Sequence, residues 1–235
     1  MTPTQASPSV LNIVQVVLLL GLVASNALAA AHGGEAERRV CPDGTAAVQD
    51  ADAADFADVC AGVSGALGFL AVHGIRPTEP VKIRVTAAIP EEAGPTAAGC
   101  YLEHKRHVYV VPYRVFRKNK TWFGVNIGRE LYRSLAAHEA AHAVAACHFR
   151  VPLPSIQAKE YVAYVAMFAS MSPELRRQAL RATRAQGFES LDRFTPLLYM
   201  FDPMRFGAEA YRHFFSTGNR TELLQEILAG KVLND

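Results

Sequence analysis

The residues best equipped for chemistry lie in one stretch, Ser134-Leu135-Ala136-Ala137-His138-Glu139-Ala140-Ala141-His142. In a helix, the i, i+4 spacing puts His138 and His142 one turn apart on one face. Two imidazoles so placed can bind one zinc ion from a rigid platform. Glu139 sits one residue further round, able to take a proton from zinc-activated water without ligating the metal itself. The run is apolar on both sides, with Leu135 to Ala137 before the motif and Ala143 to Ala145 after it. Two histidines and a glutamate buried there without partners are costly, so the pattern calls for a shared partner. The alternative is an alanine-rich amphipathic helix whose histidines are hydrogen-bonded core residues.

The neighbouring elements must position that face. The motif predicts a long helix over residues 127–148. A second helix is expected over 156–169 with Ser155 as its N-cap, and a third starts at Ser172-Pro173-Glu174 and is closed by Gly187. Upstream, Phe56, Val59, Cys60, Val63, Leu67 and Leu70 follow helical spacing, which predicts a helix over 47–73 ended by Gly74. Val81–Val85 alternates and reads as a strand. GCYLE from Gly99 and HVYVV from His107 read as a hairpin across His104-Lys105-Arg106. A last short helix is expected over 222–229. Strands precede helices, which predicts an α+β domain without βαβ alternation. A short antiparallel or mixed sheet is expected against the motif helix, followed by a mostly helical C-terminal part.

The motif and its setting resemble the zincin metallopeptidases, and among them the gluzincins. The resemblance rests on His138-Glu139-Ala140-Ala141-His142, on the upstream hairpin, and on Lys159-Glu160-Tyr161-Val162-Ala163-Tyr164-Val165. It implies a small zincin-like fold, with Glu160 as the third zinc ligand from the next helix. Small residues, Ala140 and Ala143, stand where the gluzincin signature usually carries larger ones. Tyr164 stands where many gluzincins carry an aspartate that orients a histidine; its hydroxyl could accept the histidine N–H instead. The resemblance also makes Tyr211 and His213 candidates for stabilising an oxyanion, with Asp202 and Glu209 as supporting carboxylates. A rival third ligand is His148, at the metzincin spacing. Ala145 replaces the turn glycine of that pattern, so the helix should continue and turn His148 about 80° away from His138.

Context comes from the rest of the 235 residues. Residues 1–31 carry no charge, residues 11–31 are nearly all apolar, and small residues follow from Ala27 to Ala31. That pattern predicts a cleaved signal peptide and an exported, periplasmic or secreted protein, with residues 32–235 as a single domain. Its alternative is an uncleaved membrane anchor, the one case in which a membrane is an expected partner. The four cysteines contain no C-x-x-C; in an oxidising compartment their even count suggests two disulfides in one of three pairings, of which the layout favours Cys41–Cys60 with Cys100–Cys147, and the alternative is unpaired buried thiols. The net charge of +2 gives no electrostatic case for nucleic acid. Between Lys105 and Lys120 lie six basic residues and no acidic one, a solvated loop or a basic rim that attracts anions. The expectation is an exported zinc-dependent hydrolase, a small metallopeptidase acting on peptide or protein. A zincin-like module that binds zinc or a partner without catalysis is the alternative.

Overall fold

The structure, a computed structural model, describes residues 38–94 and 97–234. The signal or anchor expected in residues 1–31 lies outside them. In chain order the elements are β1 (Arg38–Val40), β2 (Ala46–Gln49), α1 (Ala53–Val72), β3 (Val81–Val85), β4 (Gly99–Leu102) and β5 (His107–Val110). Then come α2 (Tyr113–Phe116), β6 (Thr121–Trp122), β7 (Val125–Asn126), α3 (Arg129–Ala146) and α4 (Ile156–Ser170). The C-terminal part is α5 (Pro173–Ala182), α6 (Pro196–Phe201), α7 (Pro203–Ser216) and α8 (Arg220–Leu228). The class is α+β: a five-stranded mixed sheet, a small two-stranded sheet and a mostly helical C-terminal part.

The larger sheet has the order β1-β2-β3-β5-β4. β2, β3 and β5 run parallel, while β1 and β4 are antiparallel edges. One expectation is corrected here. β2, α1 and β3 form a parallel crossover, so one βαβ unit does exist. Residues 47–49 belong to that strand rather than to the helix. Ala46, Ala47 and Val48 are all buried, so β2 lacks the alternation that marks a half-exposed strand. The helix begins only where the Asp52 side chain accepts the Asp55 backbone N–H at 2.8 Å. β3 is buried at every second residue, as its alternation predicts, and β4 and β5 pair as the expected hairpin.

α1 is long and apolar enough to cross a membrane by length and composition, yet half of its most apolar window is buried inside the fold. Its buried side packs on α3 and α4, with Val59, Val63 and Leu70 fully covered. At Gly62 a Cβ would fall 2.1 Å from the Arg133 carbonyl oxygen, so glycine permits this close approach of α1 to α3. Charge fixes the register of the same pair. Arg129 Nη1 lies 2.6 Å from Asp55 Oδ1 and 2.9 Å from Asp58 Oδ2, and Arg133 Nε lies 2.7 Å from Asp58 Oδ1. Both aspartates are buried. The Cys41–Cys60 disulfide ties the β1–β2 turn to α1. Spanning 19 residues, it contributes about 3 kcal/mol by restricting the unfolded chain. Among the described residues the core runs from Cys41 to Leu228, within the compact unit Gly34–Asp235.

Candidate functional site

α3 and α4 pack against each other and supply the site between them. His138 and His142 come from consecutive turns of α3, as their spacing predicts. Glu160 comes from the second turn of α4, whose start is fixed by the Ser155 hydroxyl accepting the Ala158 N–H at 3.1 Å. The Nε2 atoms of the two histidines are 3.1 Å apart. Glu160 Oε2 lies 3.4 Å from His138 Nε2, and Oε1 lies 3.4 Å from His142 Nε2. These three side chains form a cluster that could hold a metal ion. His148 is not part of it: past the end of α3, its Nε2 lies 2.8 Å from the Arg76 carbonyl oxygen.

The cluster opens onto a cavity of about 810 Å³. β4 forms one wall, and Trp122, Tyr164 and Tyr199 line other parts of it. Glu139 lines it too, with its carboxylate against the backbone of Gly99. The two carboxyls experience opposite influences. Burial, the largest effect on Glu139, pushes its carboxyl above the usual range, against the pull of His138 and His142. Burial acts the same way on Glu160, but the two neighbouring imidazoles, His142 foremost, outweigh it and hold that carboxyl well below the usual range. His142 loses proton affinity through burial and regains more from the Glu160 carboxylate, so its imidazole is shifted up. Two carboxyls driven apart within one cavity is an arrangement suited to distinct roles.

Tyr164 departs from the role the sequence suggested. It lays its ring against His138, with ring centroids 4.4 Å apart, and Nδ1 of His138 is buried without a hydrogen-bond partner. The downstream candidates lie away from the cavity. Tyr211 packs on Phe168 and Phe215 beneath Arg176 and does not line the cavity. His213 is buried outside it, its Nδ1 2.6 Å from the Tyr161 hydroxyl. Tyr161 follows Glu160 in sequence but lies fully buried in the core, on another side of α4. Glu209 accepts the Gln186 and Gly187 backbone N–H groups and holds a loop. Asp202 caps α7 through the Arg205 N–H.

The residue missed by sequence reasoning is Tyr199 on α6. It lines the cavity beside the Glu160 carboxylate. Burial raises its hydroxyl well above the ordinary value, so it remains a donor. Its only sequence signal is a tyrosine in a short helix begun by Thr195-Pro196.

The second predicted disulfide does not form. Cys100 and Cys147 are free thiols. Cys100 lines the cavity, where burial, aided by Glu139 and Glu92, pushes its thiol up to about 11. The next residue, Tyr101, is the one that shares a small pocket with Cys147. Alternation along β4 therefore directs Cys100 away from Cys147.

No curated protein and no solved structure matches the chain. Residues 46–235 match DUF6639, a family of unknown function, and the chain belongs to that family.

Proposed function

We propose that this protein is an exported zinc-dependent hydrolase of peptide bonds, with His138, His142 and Glu160 as zinc ligands. The observation that carries this reading is the convergence of three donors on one point at the floor of an open cavity, with Glu139 beside them. Donors placed tetrahedrally around zinc, at about 2.0–2.2 Å from it, lie roughly 3.3–3.5 Å apart. The two Nε2 atoms lie 3.1 Å apart and each has a Glu160 oxygen at 3.4 Å, Oε2 for His138 and Oε1 for His142; with one donor atom taken from each residue, all three lie within 4.8 Å of one another, close enough for a small carboxylate rotation to meet that requirement. The donor chemistry fits as well, since two imidazoles and a carboxylate with an open side match a catalytic zinc site.

Bound by His138, His142 and Glu160, zinc would supply Lewis acidity there, for an acyl carbonyl and for a water whose pKa it would lower toward about 7. Glu139 takes the proton from the attacking water and returns it to the leaving amine. Gly99, with no side chain, leaves the room in which that carboxylate stands. Tyr199 donates a hydrogen bond from the cavity wall and takes the oxyanion-stabilising role, in place of Tyr211 and His213. β4 supports a polypeptide substrate: it is an edge strand along the cavity, and among the described residues no strand pairs with its outer side, where an extended chain could add. Export is supported by the apolar segment at residues 11–31 and by the Cys41–Cys60 disulfide.

A zinc-binding role without hydrolysis is the second reading. The observation favouring it is His138 Nδ1, which lacks the partner that orients most ligating histidines. Metal analysis and peptide hydrolysis, measured on wild type and Glu139→Gln, separate the two. Zinc in both proteins, with hydrolysis in the wild type alone, is the expected result. Zinc in both with no hydrolysis in either leaves the second reading, and no bound zinc sinks both.

A further inference from the structure

At one rim of the cavity the surface carries two features with no partner among the described residues. On α6, Leu197, Met200 and Phe201 are 63%, 70% and 85% exposed. Their i, i+3, i+4 spacing sets them on a single face, while Leu198 and Tyr199 turn inward against the core. Next to α6, β6–β7 binds the start of α7: the Phe123 N–H donates to the Met204 sulfur at 3.2 Å. The segment leading into β6 carries Arg114, Arg117, Lys118 and Lys120, all exposed. Lys105 and Arg106 are neutralised by Glu92 and Glu79. Among the described residues, no acidic side chain pairs with the other four. Asn119 and Trp122 on one side, and Tyr199 and Pro203 on the other, line the same cavity, so the basic segment and the apolar face share its rim.

We propose that this rim docks the domain on a bilayer surface rich in anionic phospholipid. Leu197, Met200 and Phe201 enter the boundary between headgroups and acyl chains, and the four basic side chains meet the phosphates. Charge complementarity selects this occupant: an apolar wedge beside unneutralised cations is the pattern of an interfacial anchor. A second copy of the chain would bring the same positive charge to the same place. Three exposed side chains on a six-residue helix also fall far short of the roughly 20–30 residues a side of a stable protein interface. The inference does not depend on zinc or on hydrolysis.

The test is vesicle co-sedimentation of the chain starting at Gly34, which holds the core of the described residues and lacks the N-terminal apolar segment. Vesicles containing anionic phospholipid should pellet it, purely zwitterionic vesicles should not, and added salt should release it. Met200→Ser with Phe201→Ser should lower partitioning about tenfold or more. Lys118→Glu with Lys120→Glu should lower it at least about tenfold. All four positions are exposed, and an unchanged thermal melt shows that the variants remain folded. Failure to pellet with anionic vesicles would overturn the proposal, and so would binding that survives the Met200/Phe201 changes. A stable dimer in size-exclusion chromatography, dispersed by those same changes, would make this face a self-interface and overturn it as well.

Discussion

Gly99 and Glu139 are in direct contact, and the contact tolerates no side chain at position 99. A Cβ there would lie 2.8 Å from Glu139 Cγ and 2.9 Å from its Oε1. The edge strand of the sheet and the proposed base of the site helix thus set each other's position. Gly99→Ala should displace the Glu139 carboxylate while leaving His138, His142 and Glu160 in place. The expected outcome is full zinc occupancy with hydrolysis reduced about 10²-fold, the usual cost of misplacing a reacting group by about 1 Å. Wild-type activity in Gly99→Ala would mean that Glu139 does not act from this position.

The two tyrosines at the cluster should separate in their effects. Tyr164 touches His138 through its ring and leaves Nδ1 without a partner. Tyr164→Phe keeps the ring, so zinc affinity should remain within about twofold. Had the hydroxyl oriented the histidine, its removal would cost about 10–100-fold. Tyr199→Phe removes a donor that faces the cavity, and should lower kcat about 10²–10³-fold with zinc retained. Isothermal titration with zinc, beside steady-state hydrolysis, reads both. A large affinity loss in Tyr164→Phe would return the hydroxyl to the role expected from the sequence.

How legible each part of the site is depends on how locally it is encoded. His138, Glu139 and His142 are readable because one helix carries all three and the i, i+4 rule acts within it. Glu160 is readable only through the gluzincin resemblance, since no local rule joins residues on separate helices. Tyr199 leaves no trace: it reaches the cavity because α6 packs against α4 and α7, a tertiary event. Tyr211 and His213, chosen on the next helix, lie in core contacts instead. In the fold, the alternation of β3 and the β4–β5 hairpin are local and visible. β2 is hidden because a strand covered on both faces has no period, and with it went the parallel crossover.

The anchorage of α3 predicts an asymmetry in stability. Arg129 bridges two buried aspartates, yet its own side chain is 39% exposed. Removing an aspartate frees an arginine that can turn to water. Removing Arg129 takes a charged partner from two buried carboxylates at once, leaving Asp58 with Arg133 alone and Asp55 with no cation. Arg129→Met should therefore cost about 2–4 kcal/mol and Asp58→Asn clearly less, read as shifts in urea midpoint at constant m value. Asp55 retains the Tyr113 N–H at 3.0 Å, which moderates the loss. The reverse order would mean that the arginine side, rather than the carboxylates, bears the burial cost.

The cysteines offer a chemical test of the β4–α3 packing. A Cys100–Cys147 bond requires both thiols on the same side of β4, but the strand turns Tyr101 toward Cys147 and Cys100 into the cavity. Cys147 is exposed, with its sulfur 3.7 Å from the Ala143 carbonyl oxygen. The folded protein should therefore yield two free thiols and one disulfide on non-reducing peptide mapping, with Cys41 and Cys60 as the bonded pair. The free thiols should also differ in rate. A thiol held at about 11 is almost wholly protonated at neutral pH, and the thiolate is the reactive form. Iodoacetamide should thus alkylate Cys147 first and Cys100 much more slowly. Once alkylated, Cys100 projects a bulky group beside Glu139, and hydrolysis should fall in step with that slower reaction while Cys147 labelling leaves it unchanged. Recovery of a Cys100–Cys147 linked peptide would require β4 to flip its faces against α3, which would also carry Gly99 away from Glu139.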